Sequence, residues 1–88
     1  ADRAALQARF AQLTRREREV VDLVADGMNN RQIAEQFGVS SQAVDAARKK
    51  AMAKLGSASV AALAQLVMTA RTYDQQARDA QASSEPAR

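Results

Sequence analysis

The sequence contains no cysteine and no histidine. The absence of both residue types excludes Cys/His zinc sites, disulfide bonds, thiol nucleophiles and imidazole acid–base chemistry. There is no tryptophan, and two phenylalanines and one tyrosine are too few for the aromatic surfaces on which single-stranded nucleic acids stack. No apolar run approaches the about 20 residues of a membrane span, and nothing near the start resembles a signal peptide. We therefore expect no membrane association.

Patterns for catalysis or cofactor binding are also missing. No glycine-rich phosphate loop occurs in the chain. The carboxylates that could be paired for acid–base work are Glu17, Glu19, Asp22 and Asp26. No partner groups accompany them in the sequence. We therefore expect neither an enzyme nor a bound metal or cofactor.

The positive charge is confined to one segment of the chain. The 88 residues carry a net charge of +3. Residues 40–54 contain four basic residues against one acidic residue, and this segment alone accounts for the whole excess. Its charged residues are Asp45, Arg48, Lys49, Lys50 and Lys54. The segment is either a solvated surface helix or the part of the protein that binds an anionic partner.

Capping signals mark the starts of two helices. Thr14 is followed three positions later by Glu17, and Asn29 is followed in the same way by Gln32. In such a capping box each side chain accepts from the backbone N–H of the other residue, which satisfies donors that a first helical turn leaves free. Apolar spacing and the glycines that follow it set the other limits. The predicted helices cover residues 3–12, 15–26, 30–37, 41–55 and 60–70.

The predicted elements describe an all-α fold. A four-helix bundle over residues 13–70 follows a linker or linker helix over residues 1–12. Residues 71–88 are mostly small and polar, and we expect a helix extension that frays into a disordered tail because it has little to bury. The chain begins with alanine rather than methionine, which indicates a piece cut from a longer protein.

The helix predicted over residues 41–55 has two different faces when its residues are spaced at about 100°. One narrow stripe suits packing on the preceding helices and consists of Val44, Ala47, Ala51 and Leu55. The opposite side holds Gln42, Asp45, Ala46, Lys49 and Ala53, with Arg48 on one flank and Lys50 and Lys54 on the other. A short helix, a tight turn at residues 38–40 and this basic helix are typical of a helix-turn-helix that enters the major groove of DNA.

Two residues at the centre of the polar face have a specific chemistry. Ala46 is small enough to let the helix backbone approach DNA or to touch a thymine methyl group. The Asp45 carboxylate can accept from a cytosine amino group, and it can equally pair with Lys49 one turn later. The sequence leaves both interpretations of Asp45 open.

Three stretches of the chain match a family pattern. LTRREREVV at residues 13–21 follows Leu-Thr-x-Arg-Glu-x-Glu-Val-Leu, and GMNNRQIA at residues 27–34 follows Gly-x-Ser-Asn-Lys-Glu-Ile-Ala. The third stretch, residues 39–55, follows Ile-Ser, Thr-Val and a final Lys-Leu, with Ala43 in place of the threonine. Over about residues 13–67 the sequence resembles the LuxR/FixJ/NarL-type helix-turn-helix domain of two-component response regulators, and the FixJ branch in particular.

The resemblance implies a LuxR-type domain that binds double-stranded DNA sequence-specifically. Its base-facing positions map onto Asp45, Ala46 and Lys49, and the exposed face adds Gln42. Its phosphate-contacting positions map onto Arg31, Ser41, Arg48, Lys50 and Lys54. The fourth helix commonly forms the dimer contact, and its apolar stripe consists of Val60, Leu63, Val67 and Ala70. We therefore expect a homodimer.

The same resemblance implies further partners. A receiver domain phosphorylated by a sensor kinase is expected on the N-terminal side, RNA polymerase is a further partner, and the location is cytoplasmic. Where the family has a histidine the chain has Ala47, and Asp45 stands where a basic residue is frequent. The base preference of relatives therefore does not transfer to this chain.

Two other interpretations compete with this one. Region 4 of bacterial sigma factors shares a similar pattern, but the Asn-Asn-Arg start at residues 29–31 and the apolar helix at 60–70 favour the response-regulator type. A helical protein-interaction module that uses helix 60–70 is the alternative from a different functional class.

Overall fold

A computed structural model describes residues 3–84 of the chain. Within them the protein consists of five α-helices and no β-strand. The helices are α1 (Arg3–Ala11), α2 (Arg15–Ala25), α3 (Asn30–Phe37), α4 (Ser41–Leu55) and α5 (Val60–Ser84). The predicted all-α class is therefore confirmed.

Both predicted capping boxes are present. The Thr14 hydroxyl accepts from the Glu17 backbone N–H at 3.1 Å, and the Glu17 carboxylate accepts from the Thr14 N–H at 2.8 Å. Asn29 and Gln32 make the same reciprocal pair at 2.9 Å each. These bonds satisfy donors that have no partner inside the helix. Local side-chain chemistry therefore fixes where α2 and α3 begin.

The hydrophobic core surrounds α2, which makes its most extensive contacts with α5 and α4. Every helix contributes to this core. Its buried apolar residues are Leu6, Phe10, Val20, Val21, Val24, Ile33, Ala34, Val44, Ala51, Leu55, Leu63, Val67 and Ala70. The first helix was predicted as a linker element, but it packs on α4 and α5 and buries Leu6 and Phe10. α1 is thus an integral part of the bundle.

The predicted dimer stripe on α5 was wrong for three of its four residues. Leu63 and Val67 have no exposed surface and Ala70 is only 8% exposed, because they pack inside the same chain. Val60, at the start of the helix, remains 45% exposed. An apolar helical stripe indicates that something covers it, and here α2 of the same molecule does so.

The last helix also extends further than its predicted apolar stretch. α5 continues as helix to Ser84, through part of the segment for which a helix extension was predicted. Its final turns are rich in alanine and glutamine, which favour helix, and the Gln75 amide donates to Asp79 one turn later at 3.0 Å. The predicted disordered tail beyond residue 84 lies outside the described residues. No single described helix is long and apolar enough to cross a membrane, and only α4 and α5 together, bent by 66°, reach that length and composition.

Two ion-pair clusters join α2 to the helices that pack on it. Lys54 at the end of α4 donates to the buried Glu17 carboxylate at 2.7 Å. Arg71 of α5 contacts the carboxylates of Asp22 at 3.4 Å and Asp26 at 2.9 Å, and these partners raise the pKa of Arg71 against the opposing effect of burial. The clusters fix the orientation of α4 and α5 on the central helix.

Candidate nucleic-acid interface

A three-residue turn presents α4 at the surface. Gly38 ends α3 in the left-handed conformation, at φ 70° and ψ 35°, which glycine adopts without the penalty of a Cβ atom. The Val39 N–H donates back to the Ala34 carbonyl at 3.1 Å, and the Ser40 hydroxyl caps α4 by accepting from the Ala43 N–H at 3.1 Å. These hydrogen bonds hold the turn that connects α3 to α4.

The packing stripe predicted for α4 matches the observed burial. Val44, Ala51 and Leu55 are buried, and Ala47 is half-buried. Because these residues face α2 and α3, the opposite side of α4 faces outward. Gln42, Ala46 and Lys49 are exposed there, as the helical spacing predicts.

The outward side of α4 and the start of α3 together line an open groove of about 780 Å³, which we call the recognition surface. It is formed by Asn29, Asn30, Arg31, Ser41, Gln42, Asp45, Ala46, Arg48 and Lys49. Seven of these nine residues were predicted to contact DNA from the sequence. All four residues predicted to face the bases are among the seven, so the fold places them in one continuous surface.

Asp45 occupies the centre of the recognition surface and has three partners. Its carboxylate lies 3.0 Å from the Lys49 ammonium and 3.5 Å from the Arg48 guanidinium. The Asn30 amide also donates to it, at 3.3 Å. The hydrogen bond from Lys49 is the main cause that lowers the pKa of Asp45, and the nearby charges of Lys49 and Arg48 add to it. Asp45 is therefore a carboxylate at neutral pH.

Asn30 is the member of this network that the sequence did not predict. It lies fifteen positions before Asp45 and next to the capping residue Asn29. The Asn30 side-chain oxygen and the Arg48 Nε are buried and have no hydrogen-bond partner among the described residues. The only signal in the sequence was the family motif, which places an asparagine at this position.

The remaining predicted phosphate contacts differ in how available they are. Arg31 is 87% exposed and pairs with Glu35 at 3.5 Å on the surface of α3. Lys50 is exposed and has no carboxylate partner among the described residues. Lys54 is 34% exposed and directs its ammonium toward Glu17, away from the recognition surface. The buried Glu17 needs this counter-ion, and a phosphate contact by Lys54 remains a prediction that would compete with it.

The described residues offer no metal site. No group of three or more acidic side chains within residues 3–84 lies close enough to hold a metal ion. The recognition surface is lined by amide, hydroxyl and charged side chains. Such a set of groups suits noncovalent recognition of a polyanion.

Comparison with known proteins gives one family and two similar regulators. The family described as "GerE: Bacterial regulatory proteins, luxR family" matches residues 11–67. The C4-dicarboxylate transport transcriptional regulatory protein DctR of Rhodobacter capsulatus is 41% identical over 64 residues, which cover 73% of this chain and 32% of that protein. The tetrathionate response regulatory protein TtrR of Salmonella typhimurium is 41% identical over 54 residues, which cover 61% of this chain and 26% of that protein. No solved structure gives a significant match.

These matches favour the luxR-type interpretation of the sequence over the sigma-factor one. The chain spans about a third of the length of DctR and about a quarter of that of TtrR, so both comparisons concern a single domain. The matching family consists of DNA-binding regulators and not of enzymes, which confirms the prediction that this domain is not an enzyme. The family is also not a sigma-factor family. One similar protein is thus named a transcriptional regulatory protein and the other a response regulatory protein, and the chain belongs to the luxR family of bacterial regulatory proteins.

Proposed function

We propose that this domain binds double-stranded DNA sequence-specifically and inserts α4 into the major groove. The observation that carries the proposal is the recognition surface, where the four predicted base-facing residues and three predicted phosphate-contacting residues share one groove. A helix of 15 residues is about 22 Å long and fits the wide major groove of B-DNA with one face toward the bases.

The residues of the recognition surface have distinct proposed roles. Lys49 is 74% exposed and reaches toward guanine acceptors, and Gln42 offers an amide that can pair with adenine. Ala46 permits close approach of the helix backbone. Phosphates are bound at the edges by Arg31, Ser41, Arg48 and Lys50, and the free N–H groups at the start of α4 favour an anion there.

We further propose that the domain acts as a homodimer on adjacent half-sites. Because Leu63, Val67 and Ala70 are inside the monomer, the contact must use the outer face of α5, where Val60 and Met68 are 45% and 46% exposed. Two exposed apolar residues form a small patch, so we expect association that DNA strengthens. Sedimentation of the domain with and without operator duplex tests this proposal, and single, independent binding at every half-site would contradict it.

The whole protein is proposed to be a response regulator. Its relative TtrR is named a response regulatory protein, and DctR a transcriptional regulatory protein. On this basis we propose a receiver domain on the N-terminal side, phosphorylation by a sensor kinase, contact with RNA polymerase at the promoter and a cytoplasmic location. Whether the longer chain contains the aspartate of a receiver domain is the direct test of this assignment.

DNA binding is tested by selection followed by titration. Duplexes bound by the domain are selected from a randomised pool, and their affinity is measured by fluorescence anisotropy over a range of salt concentrations. We expect affinity for a selected duplex to fall steeply with salt, because cations of the domain release counterions from phosphates. Binding without any sequence preference, or without salt dependence, would contradict the proposal.

Lys49→Ala tests the assignment of the surface itself. We expect it to weaken binding to the selected duplex by about 1–3 kcal/mol, the usual value of a base-specific contact. The matched control is Arg78→Ala, which removes the same charge from the exposed side of α5, far along the chain from α4. Equal losses in the two variants would show a general charge effect and would refute the assignment of Lys49.

A further inference from the structure

The recognition surface carries a negative charge at its centre, which is unexpected for a surface that meets DNA. Asp45 is exposed by about a third, with 35% of its side chain accessible. Both of its carboxylate oxygens are engaged, one by Lys49 and the other by Arg48 and Asn30. A DNA phosphate that approaches either cation therefore also approaches a fixed negative charge.

The pairing leaves α4 with few cations that are free to bind phosphate. Arg48 and Lys49 face Asp45, and Lys54 faces Glu17. Lys50 alone among the basic residues of α4 has no carboxylate partner within the described part of the chain. Binding that ignores sequence depends on the number of phosphates that cations neutralise. We therefore expect the protein to bind DNA of random sequence weakly, although α4 is basic.

We propose that Asp45 is a specificity-determining residue, which weakens the binding of Lys49 and Arg48 to phosphates away from a correct site and directs Lys49 to base edges. The inference rests on the proposed function, because it assigns a role within the same DNA-binding surface. Asp45 stands where the family frequently has a basic residue, and the inference gives this position a repulsive effect on phosphate.

The chemistry of a G·C pair explains how the suppression is relieved at a correct site. Lys49 donates to the O6 and N7 acceptors of guanine while the Asp45 carboxylate accepts from the amino group of a cytosine. Because base edges carry no net charge, they do not separate the Asp45–Lys49 ion pair. The two side chains can therefore stay in contact while each one also bonds a base. A phosphate offers acceptors only and gives Asp45 no donor. The pair Asp45–Lys49 therefore favours G·C pairs at the positions it faces and disfavours the DNA backbone.

Asn30 keeps the carboxylate in place. Its amide donates to Asp45 from the first turn of α3, so the carboxylate is held between the two helices and does not simply follow Lys49. This second contact makes Asp45 a fixed feature of the surface. A carboxylate free to rotate away with its lysine would repel phosphate less.

The experiment compares four proteins on two duplexes, one selected by the unmodified domain and one of random sequence. Asp45→Asn removes the charge and keeps the shape, and Asp45→Glu keeps the charge. Asp79→Asn is the matched control, since it changes net charge by the same amount on the exposed side of α5. Circular dichroism and thermal melting confirm that each variant is folded, and anisotropy titrations in several salt concentrations give the affinities.

We expect Asp45→Asn to bind the random duplex about five- to tenfold more tightly, with a salt dependence steeper by about one to two released ions, because Lys49 and Arg48 become free. Binding to the selected duplex should stay equal or weaken, so that the ratio of the two affinities falls. Asp45→Glu should retain most of the ratio, and Asp79→Asn should leave it unchanged. Duplexes selected by the unmodified domain should contain G·C pairs at the positions that Asp45 and Lys49 face. Asp45→Asn should bind duplexes without these pairs equally well.

Two outcomes overturn the inference while leaving the proposed function intact. In the first, the unmodified domain shows sequence preference but Asp45→Asn has the same affinity ratio. In the second, Asp45→Asn and Asp79→Asn tighten random-duplex binding equally, which is a general charge effect. A domain that binds no duplex with sequence preference overturns the proposed function and the inference together.

Discussion

Replacing Glu17 by glutamine should destabilise the domain more than its single-atom change suggests. The Glu17 side chain is only 6% exposed, accepts from the Lys54 ammonium at 2.7 Å and accepts from the Thr14 N–H at 2.8 Å. Glutamine keeps the shape and the oxygen that caps α2, but it loses the charge opposite Lys54. The variant therefore isolates the ionic contribution of the contact between α2 and α4.

The expected loss is about 1–2 kcal/mol at neutral pH. Hydrogen bonds to charged groups contribute about 1.5–3 kcal/mol, and Lys54 is 34% exposed, so water recovers part of its solvation after the change. In a domain of this size each kcal/mol lowers Tm by about 4–8 °C. Urea unfolding followed by circular dichroism measures the loss directly.

The loss should also depend on pH in a defined direction. The hydrogen bond from Lys54, followed by that from Thr14, lowers the pKa of Glu17 below its ordinary value of 4.5. A carboxylate whose pKa is lower in the folded state stabilises the protein above its unfolded pKa, and this contribution is lost as pH falls through the folded pKa. The stability difference between the unmodified domain and Glu17→Gln should therefore shrink in acid, below about pH 4.5.

The matched control is Glu19→Gln on the same helix. Glu19 is 42% exposed and pairs at 3.4 Å with Arg15, which is almost fully exposed. A surface pair of this kind contributes about 0–1 kcal/mol, so the control should change stability little. The reasoning is refuted if Glu17→Gln is no more destabilising than Glu19→Gln, or if its stability difference is the same at pH 7 and in acid.

Two further substitutions test the fold. Gly38→Ala should lower the free energy of unfolding by about 1–2 kcal/mol. An added Cβ atom meets nothing within 4 Å, so the loss comes from the left-handed backbone alone. An unchanged free energy in urea unfolding would contradict the turn geometry. Leu63→Ala should cost about 2–5 kcal/mol as a buried cavity, with the midpoint independent of protein concentration, whereas Val60→Ser should leave stability nearly unchanged. A loss of stability that depends on protein concentration would instead indicate that Leu63 lies in a dimer contact.

Local features of the fold were predictable from the sequence. A capping box needs only residues three positions apart, so Thr14 with Glu17 and Asn29 with Gln32 could be identified without any tertiary information. The faces of α4 followed from helical periodicity in the same way, because the buried stripe through Val44 and Leu55 determines which side remains free. The residues expected to face the bases could therefore be identified as a group.

Contacts between distant residues were not predictable in this way. Lys54 and Glu17 are 37 positions apart, and helical spacing alone placed Lys54 on the DNA-facing flank. Asn30 reaches Asp45 only because the turn folds α3 against α4. Periodicity likewise shows that Leu63 and Val67 are covered, but not whether the cover is the same chain or a second copy. After Tyr73 the helix α5 continues because its residues individually favour helix. Apolar periodicity does not detect this preference.

The central claim is that the surface formed by the start of α3 and the outer side of α4 binds DNA. The most direct test is an NMR titration of the isotope-labelled domain with a selected duplex, in which the chemical shifts of the backbone amides are measured. We expect the largest shifts at residues 29–31 and 41–50, with smaller changes elsewhere in the domain. Shifts concentrated on α1 or α5, with residues 41–50 unaffected, would contradict it.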